Sequence, residues 1–191
     1  EPVGVTGRDR AGRRSSAQTY SLNHVTPLDA RRYLSGAEVA SNDVLIGEGG
    51  PGRGGDTLVG GMGNDLLIGG GGSDLLWSGA GDDIMAGAGG DDNYVLSGGG
   101  NDTIEDKQGN NRVIFNGKVL GRFIEFGAQW FSADGLFSGV RQGGDFIVTD
   151  LASGDKVTLN ANFEEGDFGI TLRDGREVHP YQEATRTVVG D

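Results

Sequence analysis

Six aspartates recur along the middle of the chain at a nearly constant spacing. Asp56, Asp65, Asp74, Asp83 and Asp92 lie nine residues apart, and Asp102 follows after ten. Small residues precede each aspartate by two positions (Gly54, Gly63, Gly72, Gly81, Gly90, Gly100) and by four (Gly52, Gly61, Gly70, Gly79, Ala88, Gly98). Carboxylates and the carbonyls of tightly turned glycine backbone are the oxygen ligands that hard cations prefer. The pattern therefore predicts a row of metal sites.

A second column of residues is apolar and keeps the same register. It stands two residues after each aspartate and consists of Leu58, Leu67, Leu76, Met85, Tyr94 and Ile104. A glycine-rich linker or an amyloid-like repeat is the bland alternative, but a linker has neither fixed column. The apolar column is predicted to point inward. The apolar residues beside it (Leu66, Ile68, Leu75, Trp77 and Ile84) are then predicted to face outward, which favours a cover from the flanks of the chain or contact with another domain.

Composition narrows the class of protein. The 191 residues include 38 Gly and no Cys, and the net charge is −12. Thirteen acidic residues lie between positions 38 and 106, against Arg53 alone. Such a block argues against nucleic acid as a partner and for cations, and the lack of Cys excludes thiolate sites and disulfides. No apolar run approaches the roughly 18 residues that span a bilayer, so we expect no transmembrane segment.

The N-terminal segment differs from the repeats. Residues 1 to about 25 have no periodicity and are predicted to be irregular. The stretch Thr26–Gly36 predicts one short helix, with Thr26 as N-cap, Pro27 in the first turn and Gly36 at the end. We assign residues 1–40 to a basic segment containing this helix, and the start without Met suggests a fragment of a longer protein.

The repeat GGxGxDxUx resembles the RTX (repeats-in-toxin) calcium-binding nonapeptide. The resemblance covers about residues 41–115 closely. It implies an all-β fold, a right-handed parallel β-roll of about three coils over residues 41–111, in which two nonapeptides form one coil. It also implies that the aspartates and the small-residue columns given above are the ligands of about four Ca²⁺ ions. Ala88 in place of Gly, and the gap of thirteen residues from Asp43 to Asp56, depart from the pattern.

In such a roll, residues eighteen positions apart stack on the same edge. One edge is then predicted to carry Asp56, Asp74 and Asp92, and the other Asp65, Asp83 and Asp102, with Asp43 and Asn111 as partial sites at the ends. Stacked carboxylates repel without metal, and one apolar residue in nine is too little to offset the chain entropy. We expect the roll to fold only when calcium binds.

Residues 112–191 are predicted to form a β-rich capping segment and tail. RVIFN, RFIEF, LFSGVR, DFIVTD, DKVTLN and FGITL have the composition of strands. This segment resembles the non-repetitive block that follows RTX repeats in large secreted proteins, and such a block covers an open strand edge. Its predicted core is aromatic (Phe115, Phe123, Phe126, Trp130, Phe146 and Phe163).

No catalytic motif is evident. His24 and His179 are the only histidines and lie far apart in sequence, and neither G-x-S-x-G nor H-E-x-x-H occurs. We therefore expect a non-enzymatic calcium-binding module of a secreted bacterial protein (a toxin, adhesin or enzyme) that folds outside the cell after type I secretion. The expected partners are calcium, the secretion machinery and adjoining domains of the same chain. The alternatives are the non-catalytic tail of a secreted hydrolase and an adhesive or partner-binding segment.

Overall fold

A computed structural model describes residues 17–21, 33–36, 41–48, 54–159 and 162–175. Within them, the N-terminal strands are β1 (Ala17–Ser21), β2 (Tyr33–Ser35) and β3 (Asn42–Ile46). The repeats form β4 (Thr57–Met62), β5 (Leu66–Gly71), β6 (Leu75–Ala80), β7 (Ile84–Gly89), β8 (Asn93–Leu96) and β9 (Asn101–Ile104). Strands β10 (Arg112–Phe115) and β11 (Lys118–Val119) follow.

The C-terminal strands are β12 (Arg122–Phe126), β13 (Gln129–Ser132), β14 (Phe137–Gln142), β15 (Asp145–Asp150), β16 (Lys156–Leu159) and β17 (Thr171–Asp174). A single 3-10 turn, Asp167–Gly169, precedes β17. We call β1–β10 the roll and β12–β17, with this turn, the cap. No helix in the described part of the chain is long and apolar enough to cross a membrane.

The repeats alternate between two sheets. One sheet has the strand order β11-β10-β8-β6-β4-β2, and the other begins β1-β3-β5-β7-β9. All pairs within the roll are parallel, as in β4 with β6 and β5 with β7. The all-β parallel roll is thus confirmed, but it has about four turns rather than about three, because β2 and β3 pair onto the first repeats.

The inward apolar column forms two continuous ladders. Leu58 pairs with Leu76, and Leu76 with Tyr94, in one sheet, while Leu67 pairs with Met85, and Met85 with Ile104, in the other. All six side chains are fully buried. The period of eighteen residues therefore sets the core of the roll, as predicted. The one-residue insertion before Asp102 is accommodated in the turn.

Two expectations for the N-terminal segment are wrong where it is described. Tyr33–Ser35, the end of the predicted helix, is a strand that pairs with β4, because the open edge of β4 offers backbone partners that local helix propensity does not outweigh. Residues 26–32 lie outside the described residues. Ala17–Ser21, predicted to be irregular, is a strand paired with β3.

The second sheet passes without a break from the roll into the cap. β9 pairs in parallel with β16, which places Leu159 beside Ile104, and the order continues β15-β14-β13-β12-β17. Most of the strands predicted for residues 112–191 match, and β11 and β13 were missed. The ring of Phe146 stacks on that of Phe163, with 4.9 Å between the ring centroids. It contacts the rings of Phe123 and Trp130 edge-on. Phe126 does not belong to this core, since it is 59% exposed.

Candidate calcium site

The repeat aspartates stack in two ladders, one at each edge of the roll. On one edge, the backbone N–H of Asp56 donates to Asp74 Oδ1 at 2.5 Å, and that of Asp74 donates to Asp92 Oδ1 at 2.7 Å. On the other edge, Asp65 donates to Asp83 at 2.7 Å and Asp83 to Asp102 at 3.0 Å. One carboxylate oxygen of each acid is thus used to join neighbouring turns.

The ladders include the two end residues that were predicted as partial sites. The N–H of Asp43 donates to Asp65 Oδ1 at 2.8 Å, and that of Asp92 donates to Asn111 Oδ1 at 2.8 Å. Asp43 and Asn111 therefore occupy ladder positions, as their proposed role at the two ends of the roll requires. Glu48 N–H donates to Asp56 Oδ2 at 2.9 Å, so the first turn, which contains the insertion, already supplies a partner for that oxygen.

The second carboxylate oxygen is the unusual feature of the central turns. Asp65, Asp74, Asp83 and Asp92 are at most 3% exposed. Among the described residues, their Oδ2 atoms are buried and have no hydrogen-bond partner. An uncompensated buried carboxylate is costly in free energy unless a cation or a proton neutralises it. These oxygens are therefore positioned as ligands.

The pKa values of the ladder aspartates also show that their buried charge lacks compensation. Burial, and after it the charges of neighbouring aspartates, raises the pKa of Asp74 to about 7 and of Asp102 to about 7. Burial likewise raises the pKa of Asp83 and of Asp92 to about 6, and it raises that of Asp65. Hydrogen bonds from the ladder N–H groups lower these values only in part. Burial therefore favours the neutral form of these acids unless a cation offsets their charge.

Three of these four oxygens lie against the first glycine of their own turn, five residues earlier, whereas the turn of Asp83 has Ser78 there. A Cβ built on Gly69 would lie 2.2 Å from Asp74 Oδ2, and one built on Gly87 would lie 2.1 Å from Asp92 Oδ2. At Gly60 the distance to Asp65 Oδ2 would be 2.6 Å. Sequence reasoning did not assign Gly60, Gly69 and Gly87 to the site, although the first glycine of the repeat was the available signal.

The two predicted small-residue columns form the turns themselves. Left-handed backbone is adopted at Gly61, Gly63, Gly70, Gly72, Gly79, Gly81, Ala88, Gly90, Gly98 and Gly100. At Gly81 a Cβ would come within 2.2 Å of Gly63 O in the neighbouring turn, so this close approach requires glycine. Ala88 accepts φ 71° at the strain of a non-glycine residue. Gly54 lies in the first turn without such a φ, and Gly52 lies outside the described residues.

A further ladder, not predicted, runs along the outer surface of the turns. The Asn64 N–H donates to Asn42 Oδ1 at 2.8 Å, and the Asp82 N–H donates to Asn64 Oδ1 at 3.1 Å. The Asn101 N–H continues the row to Asp82 Oδ1 at 2.7 Å. Since both Asn and Asp serve as acceptors here, the row needs a side-chain carbonyl and no charge, unlike the buried ladder beside it.

The donor set fits calcium in chemistry. The turns present carboxylate oxygens and glycine carbonyls, which are ligands for a hard cation of this size. Within the described residues, no group of three or more His, Cys, Asp or Glu side chains is arranged to hold a metal. Any ion at these turns would therefore be held by few carboxylates and by backbone oxygens. The histidines His24 and His179 lie outside the described residues.

The outward apolar residues are only partly covered. Leu66, Ile68 and Leu75 are half-buried, whereas Trp77 and Ile84 are 44% and 45% exposed. Within the described residues, no flanking segment therefore covers these two side chains. Trp77 has a polar contact, because its Nε1–H donates to Ser97 Oγ at 2.8 Å.

Comparison with protein families gives one match. The RTX calcium-binding nonapeptide repeat (4 copies) is found at residues 52–85, 59–94 and 96–114. Comparison with curated proteins gives no significant match. Residues 52–114 are thus RTX repeats, a type of repeat that binds calcium, and the match spans the two aspartate ladders.

Proposed function

We propose that this chain is a calcium-binding module whose roll folds as calcium binds. The observation that carries the proposal is the set of buried, unpartnered Oδ2 atoms of Asp65, Asp74, Asp83 and Asp92. Beside Asp65 and Asp74, the backbone carbonyls of Ser78 and Gly87 border the same space. Four such oxygens support about four Ca²⁺ ions, with the aspartates and small-residue columns of residues 52–102 as ligands.

Coupling of binding to folding follows from the energetics of the roll. Its interior receives one apolar side chain from each repeat, and the glycine-rich turns lose much conformational entropy on ordering. Acids stacked at the roughly 4.8 Å spacing of adjacent strands repel one another. A cation that binds only the folded turns removes the repulsion and shifts the equilibrium towards the roll.

The cellular setting of the proposal is a bacterial secreted protein. The module would stay unfolded in the calcium-poor cytosol, pass through a type I secretion channel and fold outside, where calcium is abundant. The acidic, cysteine-free composition and the RTX repeats support this route. A toxin, an adhesin or an enzyme would supply the remainder of the protein, and this fragment would contribute no catalytic residue.

Calorimetric titration with Ca²⁺ in parallel with circular dichroism tests the proposal. In EGTA we expect a coil-like spectrum for the repeats, and on addition of calcium a cooperative gain of β-structure with about four ions bound per chain. Mg²⁺ at the same concentration serves as the control, since it demands a near-ideal octahedral shell and loses its waters reluctantly. A β spectrum unchanged between EGTA and calcium would contradict coupled folding.

A second candidate function is supported by the outer faces of the roll. The exposed Trp77 and Ile84 suit an adhesive or partner-binding surface in the folded state. Size-exclusion chromatography with and without calcium would test it, because a larger species formed only in calcium is expected if the folded faces associate.

A further inference from the structure

The last turn of the roll replaces the first glycine with an acid. Asp106 stands five residues before Asn111, the position that Gly60 and Gly69 occupy relative to Asp65 and Asp74. In those turns the glycine leaves room for the free carboxylate oxygen. Here a second carboxylate enters the equivalent region, so the last turn differs chemically from the others.

The Asp106 side chain is fixed inside the roll. It is 6% exposed, and its Oδ2 accepts hydrogen bonds from Tyr94 Oη at 2.5 Å and from Asn111 Nδ2 at 3.0 Å. Its Oδ1 accepts the Gln108 N–H at 2.9 Å. Tyr94 is the one member of the inward column with a polar end, and its hydroxyl also accepts the Gly87 N–H at 2.6 Å.

The unpartnered oxygen of Asp92 shares this region. A Cβ built on Gly87 would lie 2.1 Å from Asp92 Oδ2 and 2.6 Å from Tyr94 Oη, so both oxygens border the same small space. Asp92 is 1% exposed. Its free Oδ2 and the Tyr94–Asp106 pair thus bring oxygens from three side chains together.

The charge of this cluster is not compensated by its basic neighbour. Lys107 follows Asp106, but its ammonium is held by Asp167 at 2.7 Å and by the Asn162 carbonyl at 2.5 Å. Two buried carboxylates that share one space repel each other, and a cation between them offsets this repulsion.

A cavity provides access to this cluster. It has a volume of about 580 Å³, lies between the last turn of the roll and residues 166–169, and is lined by Asp92, Asp106 and Asn111 among others. In the described repeat turns the equivalent position is glycine or serine (Gly60, Gly69, Ser78, Gly87 and Ser97), so among them a second carboxylate beside the ladder carboxylate occurs only here.

We propose that the side chain of Asp106 is an additional ligand of the calcium site at Asp92 and makes this site tighter than those of the turns with glycine or serine at that position. The inference rests on the proposed function, because it assumes that the ladder oxygens hold calcium. The additional carboxylate contributes a second formal charge at short range, and affinity for calcium rises with the number of charged ligands.

Calorimetric titration with Ca²⁺ of the full chain and its variants tests the assignment. Asp106→Asn keeps the shape of the side chain and a carbonyl to accept from Tyr94, and we expect it to weaken one binding site about tenfold or to remove it. Asp91→Asn is the matched control: it removes the same charge from an exposed position, where Asp91 Oδ1 accepts the Asn110 N–H at 2.8 Å. Asp91→Asn should leave the calcium affinity of every site within about twofold of the wild-type value.

Tyr94→Phe separates a metal site from a purely structural hydrogen-bond cluster. It removes the hydroxyl but leaves both carboxylates, so the number of ions bound should equal that of the wild type. If Asp106→Asn also keeps every site at wild-type affinity, or if Asp91→Asn weakens binding equally, the assignment is overturned. Should Asp106→Asn not fold in calcium, Asp106→Glu replaces it, with full stoichiometry and an altered affinity at one site expected; unaltered affinity at every site would refute the inference. A wild-type chain that binds no calcium would instead refute the proposed function.

Discussion

The roll and the cap share one continuous sheet but are stabilised in different ways. In the cap, neighbouring antiparallel strands close a core in which Phe146 packs against Phe123, Trp130 and Phe163. In the roll, each repeat adds one buried apolar side chain and one buried carboxylate. Apolar burial alone supports the first arrangement, whereas the second needs its charge neutralised. Under the proposed function, adjacent parts of one sheet thus differ in whether they need a ligand to fold.

Removal of the cap is the largest test of this contrast. Deletion of residues 116–191 retains β10 but exposes the β9 edge and the side chain of Ile104, which β16 covers. We expect calcium-induced folding to be abolished or greatly weakened, because an open edge and an uncovered apolar stack end the roll. Circular dichroism during calcium titration measures this, and an equally cooperative transition in the truncated chain would contradict it.

Truncation of the aromatic core should damage the cap without changing a calcium ligand. Phe146→Ala removes a fully buried ring and is expected to lower the free energy of unfolding by about 3–5 kcal/mol. Urea unfolding at saturating calcium measures the loss. Phe126→Ala is the control, since this ring is 59% exposed and should cost less than about 1 kcal/mol; equal losses would show that the ring cluster is not the core.

The two regions should respond to pH in opposite directions. In the roll, raised pKa values of about 6 to 7 at Asp74, Asp83, Asp92 and Asp102 mean that the folded state binds protons more strongly than the unfolded chain. In EGTA the roll is therefore favoured at low pH and loses stability as the pH rises through 6 to 7. In the cap, hydrogen bonds from Ser132 and Ser153 lower the pKa of Asp134 and of Asp155, so stability there is lost only at acid pH.

Circular dichroism in EGTA measures the pH effect on the roll. The pH is lowered from about 8, which is above the raised pKa values of the ladder aspartates, to about 5. A gain of β-structure on acidification is expected. The apparent affinity for calcium should fall over the same interval, because protons and calcium compete for the same oxygens. A roll that is least stable at low pH in EGTA would show that burial does not raise the pKa values of the ladder aspartates.

Neutral replacement within one turn should separate the buried ladder from the exposed one. Asp83→Asn removes a buried charge that faces the proposed ion, and we expect the calcium midpoint of folding to rise about tenfold, equivalent to about 1.4 kcal/mol. Asp82→Asn removes the same charge next to it but keeps the carbonyl that accepts the Asn101 N–H. The calcium midpoint of Asp82→Asn should change little. Equal shifts of the midpoint in the two variants would show that only the net charge of the roll matters.

The smallest expected effect concerns backbone strain at one repeat. Ala88 has φ 71°, a left-handed conformation that costs a non-glycine residue about 1–2 kcal/mol. Glycine relieves this strain but loses more conformational entropy on folding. Ala88→Gly should therefore stabilise the folded roll by less than about 1 kcal/mol. Its register partner offers the reverse test, because Gly70→Ala places a side chain at φ 108° and should destabilise. Thermal unfolding in calcium measures both, and a stabilising Gly70→Ala would contradict the strain argument.

Much of the roll could be predicted because its determinants repeat. The spacing of Asp56, Asp74 and Asp92 is sufficient to place them on one edge once two nonapeptides form a coil. The strand at Tyr33–Ser35 could not be predicted in this way, since its own residues indicate a helix and only the edge of β4 supplies its backbone partners. The exposure of Phe126 was missed for a similar reason, because strand alternation alone does not show which face a cap strand buries.

What the sequence by itself determined is the chemistry of the repeats: which residues turn, which point inward and which carry charge. These properties depend on local backbone geometry, and the nine-residue period reports them directly. Only the tertiary structure decided which carboxylate oxygens lack partners, that β9 continues into β16, and that Asp106 and Tyr94 converge on the space beside Asp92. Those features depend on the packing of one turn against the next and on pairing between distant strands, and no local pattern encodes them.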